Sequence, residues 1–205
     1  MGNEISQPPS KLGITSLGVT TPNIEAKEVS RLLQLLKSNA IDKQSEMISK
    51  DELSGILKQV EKFTPPDSEL FIQLFVLFDE QGHDEVNYKT FIAGSSVCLT
   101  SSPLNERIKF ALSIFDVQET QHCQRGDLKK ALLAVNTTAA FFGDPVLHPS
   151  EVDTIVLEAF KAVPNAKGLG LLYDECIAYL LSNASVKKFM NAEGSVRFGS
   201  TELTA

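Results

Sequence analysis

Oxygen-bearing side chains recur after two similar apolar segments of the chain. The segments SELFIQLFVLFD and NERIKFALSIFD end at Asp79 and Asp116, which lie 37 residues apart. An apolar residue follows each aspartate seven positions later, and a second apolar helix begins twelve positions later. A helix, a 12-residue loop and a second helix are a frame in which carboxylate and carbonyl oxygens bind Ca²⁺. The spacing therefore predicts cation chemistry, or a scaffold built for it.

Most of the oxygen ligands that such a loop needs are missing. Ca²⁺ takes six to eight oxygens, usually with a bidentate carboxylate at loop position 12. The loop after Asp79 has His83 at position 5 and Thr90 at position 12. The loop after Asp116 retains more oxygen, and its weak candidate ligands are Asp116, Gln118, Thr120 and Asp127. We predict no physiological metal site, and at most a weakly bound Ca²⁺ or Mg²⁺ in the loop after Asp116.

Two further segments match the same pattern of helix, loop and helix, so the sequence predicts four helix–loop–helix units. A fourth loop falls at residues 164–175, with proline, alanine and glycine where ligands belong. A first loop ends at Glu52, and we interpret it as carrying one or two extra residues after Ser38. Paired loops bridge through their apolar position-8 residues, which predicts two short two-stranded sheets. The predicted partners are Ile48 with Val86 and Cys123 with Leu171.

Capping and proline signals set the expected helix ends. The predicted helices include residues 22 to about 37, a helix from a Ser49–Glu52 capping box to Pro65, one that ends near Val135, one capped by Ser150, and residues 173–181 and 185–190. A long linker separates the helix that ends near Val135 from the one that follows it.

Composition excludes several classes of function. A net charge of −7 and few clustered basic residues argue against a nucleic-acid partner. No apolar run is long enough to span a membrane. Three scattered cysteines without a CxxC motif favour a reducing cytoplasm. No nucleophile or acid–base pair stands out, so we expect that the chain is not an enzyme.

The first six residues carry a modification signal. Met1 to Ser6 read MGNEIS, which places Gly2 four residues before a serine, as in N-myristoylation sites. One myristoyl chain gives only marginal, reversible membrane binding. We therefore expect a lipid at Gly2 and a cytoplasmic protein that is partly membrane-associated.

From residue 22 to 191 the chain resembles the calcineurin B-like and neuronal calcium sensor group of EF-hand proteins. The resemblance rests on the MGN start, the four loops, the SSPLNERIKFALSIFD entry to the third loop, the long linker and a closing NASVKKFMN segment. It implies an all-α fold of four EF-hand units in two paired lobes, with short two-stranded β-bridges between paired loops. The predicted domains are an arm (1–20), an N-terminal pair (21–100), a C-terminal pair (101–183) and a C-terminal helix and tail (184–205).

The resemblance also implies an apolar groove for an amphipathic helix of a partner protein. The predicted groove residues are Phe71, Phe75, Phe78, Leu112, Phe115 and Phe160. We expect a non-catalytic adaptor or regulatory subunit with calcium binding mostly or wholly lost, and the alternative is a calcium sensor acting through the third loop. Residues 185–190 are a candidate plug for the groove, with Val186, Phe189 and Met190 on their apolar edge.

Overall fold

The structure, a computed structural model, describes residues 24–100, 102–162 and 170–186. Its elements, in chain order, are α1 (Ala26–Lys43), β1 (Met47–Ser49), α2 (Lys50–Leu57), α3 (Pro65–Phe78), β2 (Glu85–Asn87), α4 (Tyr88–Leu99), α5 (Leu104–Ser113), β3 (His122–Cys123), α6 (Arg125–Phe141), α7 (Pro149–Ala162), β4 (Leu171–Leu172) and α8 (Tyr173–Ser182). The predicted arm and most of the predicted tail, with Phe189 and Met190, lie outside the described residues, as does the first half of the fourth loop.

Two short antiparallel sheets join the loops in pairs. Ile48 pairs with Val86 between β1 and β2, and Cys123 pairs with Leu171 between β3 and β4. All four side chains are buried. The predicted all-α EF-hand fold with β-bridges between paired loops is therefore confirmed.

The first helix is longer than predicted at its C-terminal end. It continues to Lys43 rather than ending near Lys37, and Gln44 closes it in the left-handed region with φ 53°. Its buried residues recur at helical spacing as far as Ala40, so the apolar face continues into the segment interpreted as a loop. The prediction of extra loop residues after Ser38 is wrong, because those residues are helical.

The second helix is shorter than predicted. α2 begins at the predicted capping box, in which the Ser49 hydroxyl accepts from the Glu52 N–H at 3.3 Å. It ends at Leu57 rather than at Pro65. Pro65 instead occupies the first turn of α3, behind a second capping box formed by Thr64 and Asp67. Proline suits this position because its missing N–H has no partner at a helix start.

The sixth helix also extends beyond its predicted end, to Phe141. Its Asn136 side chain bonds both the N–H and the carbonyl of Leu147, each at 2.7 Å, and so fastens the returning linker. α7 begins at Pro149, one residue before the predicted cap, and the N–H of His148 donates to the Glu151 carboxylate at 2.7 Å. The linker is therefore shorter than predicted.

Helix α4 is buried from Phe91 to its last residue, Leu99, and connects the two pairs of loops. It packs closely on α6, because a Cβ added at Gly94 would lie 2.4 Å from the Ala134 carbonyl oxygen. Only a residue without a side chain permits this approach. The N-terminal and C-terminal pairs therefore share one continuous core.

The end of the described chain follows α8. Asn183 accepts hydrogen bonds from the N–H groups of Ser185 and Val186, at 3.0 and 3.1 Å. The side chain of Val186 is fully buried. Within the part of the chain that the structure describes, no helix is long and apolar enough to cross a membrane.

Candidate functional site

The loops can be numbered from their backbone geometry. Tyr88 donates its N–H to the Glu46 carbonyl, and Tyr173 donates its N–H to the Gln121 carbonyl, both at 3.0 Å. Gln121 is position 6 of the third loop, which starts at Asp116, so Glu46 is position 6 of the first. The first three loops are therefore residues 41–52, 79–90 and 116–127, and each has the standard 12-residue length.

The left-handed residues of the loops agree with this numbering. Position 4 has a positive φ in all three loops, at Gln44 (53°), Gly82 (66°) and Glu119 (53°). Asp84 and Gln121 hold position 6 of the second and third loops, each with φ 59°, where an EF-hand usually has glycine. The loops thus keep the EF-hand backbone although their side chains differ.

In the second loop, the position-1 carboxylate is bonded by the loop itself. Asp79 accepts from the N–H of His83 at 3.0 Å on one oxygen and from that of Asp84 at 2.8 Å on the other. At position 12, the Thr90 N–H donates to the Asn87 side chain at 3.1 Å, which caps α4. Thr90 therefore takes part in the N-terminal cap of α4, and it supplies no carboxylate to the loop.

In the third loop, Asp116 accepts hydrogen bonds on both of its carboxylate oxygens. Thr120 donates to Oδ1 through its N–H and its hydroxyl, both at 3.1 Å. On Oδ2, Asp116 accepts from the Gln121 N–H at 2.7 Å and from the Tyr173 hydroxyl at 2.9 Å. Burial acts to raise the pKa of Asp116, but these hydrogen bonds outweigh it, and the pKa lies below its usual value. Burial and the nearby Asp116 carboxylate raise the pKa of the Tyr173 phenol.

The other predicted ligands of the third loop are less closely joined to Asp116. Gln118 is exposed. Asp127, at position 12, forms an ion pair of 3.8 Å with Lys130 on the same helix. Of the four candidates, the structure joins Thr120 and Asp116 directly. The loop retains two carboxylates and neutral oxygens, which is a partial fit to a Ca²⁺ site.

In the first loop, a lysine reaches the position-12 carboxylate. Lys43, at position 3, donates from Nζ to Glu52 Oε2 at 2.8 Å and to the Met47 carbonyl oxygen at 3.5 Å. Glu52 also accepts from the Ser49 N–H at 2.8 Å. The Lys43 ammonium and this N–H lower the pKa of Glu52 to about 2. Ile41, at position 1, has no oxygen in its side chain, so this loop does not fit Ca²⁺.

Three of the predicted groove residues belong to the core. Phe71, Phe75 and Leu112 are buried. The rings of Phe71 and Phe75 pack on that of Phe91 with centroid separations of 6.1 and 6.4 Å. In this conformation these three side chains lie in the core, and the groove for a partner helix stays a prediction.

The remaining predicted groove residues are half-buried. Phe78, at the end of α3, meets Phe91 edge-on at 5.5 Å. The guanidinium of Arg125 lies 5.3 Å from the centroid of the Phe160 ring, a cation–π contact. Phe115 follows α5 and packs against the core. These side chains stay partly accessible, but they lie on different helices or helix ends.

Sequence reasoning missed a cleft between the two pairs of loops. A cavity of about 680 Å³ is lined by residues that include Ile41, Tyr88, Val117 and Tyr173. Ile41 and Val117 are 74% and 76% exposed, which is unusual for large apolar side chains. The sequence signal that could have indicated this cleft is the tyrosine at position 10 of both the second and the fourth loops, Tyr88 and Tyr173.

Comparison with curated proteins identifies relatives of modest identity. The chain is 26% identical over 128 residues to calcium-binding protein J of Dictyostelium discoideum, covering 57% of this chain and 66% of that protein. It is 27% identical over 135 residues to the type 2 calcineurin B subunit of Homo sapiens, covering 64% and 68%. It is 31% identical over 107 residues to the calcineurin B subunit of Naegleria gruberi, covering 52% and 56%. The relatives support a calcineurin B-like EF-hand protein.

The calcineurin B-like resemblance predicted from the sequence is therefore confirmed at modest identity. The matched region spans between 56% and 68% of the length of these relatives. No protein-family model matches the chain.

The described loops have few acidic side chains at the positions that ligate Ca²⁺ in an EF-hand. Over residues 24–100, 102–162 and 170–186, no three His, Cys, Asp or Glu side chains converge as a metal site. Three carboxylates at ligand positions, those of Asp79, Asp116 and Glu52, each accept hydrogen bonds from at least two donors of the protein. Asp127, at position 12 of the third loop, instead forms the ion pair with Lys130.

Proposed function

We propose that this chain is a non-catalytic adaptor or regulatory subunit that binds an amphipathic helix of a larger protein without calcium. Two of its relatives are named as calcineurin subunits, so a role within a larger assembly is the function that the comparisons favour. The observation that carries calcium independence is that the carboxylates of Asp79, Asp116 and Glu52 each accept hydrogen bonds from at least two donors of the protein itself. Asp116 and Tyr173 are the clearest pair, at 2.9 Å.

The proposed partner surface lies where α3, α6 and the following linker meet. Leu77 and Val146 are 40% and 51% exposed. With Phe141 they line an open cavity of about 380 Å³ whose other walls are Asn136, Thr137 and Ala140. An amphipathic helix binds such a surface by placing apolar side chains at a spacing of three and four residues into it. The half-buried ring of Phe78 follows Leu77 in the chain.

The test begins by capturing partners on the full-length protein and identifying the helix that binds. A synthetic peptide of that helix is then titrated by calorimetry, once with Ca²⁺ and once with a calcium chelator. We expect equal Kd values in the two buffers. Val146→Asp should weaken binding, whereas Leu172→Asp, at an exposed apolar residue on β4, should not. Binding that requires Ca²⁺ would contradict the proposal.

We also propose that Gly2 carries a myristoyl group that brings the adaptor to membranes reversibly. The support is the MGNEIS sequence together with the resemblance to the calcineurin B-like and neuronal calcium sensor group. The intact mass of protein made in a eukaryotic host should include one acyl chain, and Gly2→Ala should lack it. Co-sedimentation with lipid vesicles should fall in the same variant. An unmodified mass for the wild-type protein would end the lipid hypothesis.

The second candidate function is a calcium sensor that acts through the third loop. It is favoured by the two carboxylates of that loop, Asp116 and Asp127, and by the neutral oxygens between them. One of its relatives is named as a calcium-binding protein. Calcium titration of the wild type and of Asp116→Ala decides between the two functions.

A further inference from the structure

The first loop contains a cation of its own. Lys43 stands at position 3, where an EF-hand supplies an oxygen, and instead brings a positive charge. Its Nζ lies 2.8 Å from Glu52 Oε2, at position 12, and 3.5 Å from the Met47 carbonyl oxygen, at position 7. Positions 7 and 12 are the carbonyl and the carboxylate that ligate Ca²⁺ in an EF-hand. The ammonium therefore contacts two groups that would otherwise hold the ion.

At the ligand positions of the loop, one carboxylate faces one ammonium. An EF-hand loop combines several carboxylates with a divalent ion, whereas Glu52 is the acid that remains at a ligand position here. Position 1 is Ile41, and positions 5 and 9 are Ser45 and Ser49. One ammonium neutralises one carboxylate, and its three N–H groups suit two acceptors on different parts of the loop.

The lysine also connects the segments that a bound ion would connect. Lys43 is the last residue of α1, Met47 begins β1, and Glu52 lies in the first turn of α2. Glu52 additionally accepts from the Ser49 N–H, so β1 and the start of α2 are joined through the same carboxylate. β1 in turn carries Ile48, which pairs with Val86 of the second loop.

We propose that the Lys43 ammonium is a built-in substitute for calcium in the first loop, which keeps the end of α1, β1 and the start of α2 joined at every calcium concentration. An ordinary surface ion pair contributes little to stability and would not control the loop. The register of the loop and the second contact to a position-7 carbonyl distinguish Lys43 from such a pair. This inference rests on the proposed calcium-independent function and explains it for the N-terminal pair.

The test measures local opening of the first loop in the full chain by amide hydrogen exchange. In Lys43→Met, the amides of Ser49 and Ile48 should exchange several-fold faster than in the wild type. The amide of Cys123, in the other sheet, is the internal reference. Lys37→Met, at an exposed position of the same helix, is the matched control and should exchange like the wild type. Unchanged exchange in Lys43→Met would overturn the proposal.

A second variant keeps the proposal testable if Lys43→Met does not fold. Ile41→Asp combined with Lys43→Asp removes the ammonium and restores acids at positions 1 and 3. At about 1 mM Ca²⁺, the weak end of EF-hand affinities, this double variant should regain protection of the first loop. Ile41→Asp alone, which keeps the ammonium, should not respond. If Ca²⁺ protects the first loop of the single variant as much as that of the double variant, the proposal is wrong. The proposed function is tested separately, by partner binding in the presence of a calcium chelator.

Discussion

The Tyr173 hydroxyl donates a hydrogen bond to Asp116 Oδ2 at 2.9 Å, from the first residue of α8 to position 1 of the third loop. The tyrosine belongs to one EF-hand and the carboxylate to its partner, so the bond joins the two hands of the C-terminal pair. It stands beside the β3–β4 sheet, in which Cys123 pairs with Leu171.

Replacement of this tyrosine should weaken the C-terminal pair. Tyr173→Phe removes a hydrogen bond to a charged group, which contributes about 2 kcal/mol, so the free energy of unfolding should fall by about that amount in a urea titration. Tyr179→Phe is the control, because its hydroxyl bonds the exposed Glu158 at 3.2 Å. If the two variants lose equal free energy of unfolding, the hydrogen bond to Asp116 contributes no more than a surface hydrogen bond.

The loss of stability at low pH should depend on Glu52. The pKa of this carboxyl is lowered from 4.5 to about 2, so its stabilising effect is complete above about pH 4.5 and is lost as the pH falls toward 2. Glu52→Gln should therefore be less stable than the wild type at neutral pH and lose less of its stability between pH 5 and 2. Melting temperatures measured across this range test it. Glu80→Gln, at an exposed loop residue, should retain the wild-type slope.

Calcium should leave the melting temperature unchanged. An ion that binds the native state alone would stabilise it by about 2.7 kcal/mol at 100 times its Kd. Even the third loop, with two carboxylates, should bind with a Kd on the order of 10⁻⁴ M or weaker. We expect no melting shift at ~0.1 mM Ca²⁺. A rise of several degrees that Asp116→Ala abolishes would favour the calcium sensor instead.

The contact between α4 and α6 should not tolerate a methyl group. Gly94→Ala would place a Cβ 2.4 Å from the Ala134 carbonyl oxygen, and overpacking of this kind costs about 1–3 kcal/mol. Gly55→Ala, in α2, meets no atom within 4 Å and should stabilise the helix by about 0.5–1 kcal/mol. Opposite signs for the two variants in thermal unfolding are the expected result, and a neutral Gly94→Ala would contradict the close packing.

The C-terminal segment should contribute to stability through Val186. Val186→Ala removes buried methyl groups and should lower the free energy of unfolding by about 2 kcal/mol, whereas Val146→Ala, at a half-exposed residue, should be close to neutral.

Deletion of residues 184–205 should increase the capture of an amphipathic helix if this segment acts as a plug for the groove. A loss of stability with no gain in capture would retire the plug hypothesis.

The pairing of the loops could be predicted from the sequence because it follows from position alone. The position-8 residues face each other once the repeat is aligned, and Ile48 and Val86 are paired as predicted. The register of the first loop could not be predicted, because Ile41 and Lys43 replace the acids that mark positions 1 and 3. It follows instead from the bond between the Tyr88 N–H and the Glu46 carbonyl, which leaves no trace in the sequence.

The predicted groove could not be resolved from the sequence for a different reason. The same apolar helix face can pack inside a closed pair of hands or line an open one, and periodicity does not distinguish the two. In the structure Phe71 and Phe75 close on Phe91. The predicted helix ends are wrong where the apolar face continues past a polar residue, as it does in α1 between Leu36 and Ala40.

The burial of α4 from Phe91 to Leu99 restricts how the two pairs of loops can move. Because α4 belongs to the core of both pairs and crosses α6 at Gly94, neither pair can rotate away from the other without exposing that core. We therefore expect the chain to unfold in one cooperative transition rather than lobe by lobe. A partner that binds this chain should therefore find the two pairs already in their final arrangement.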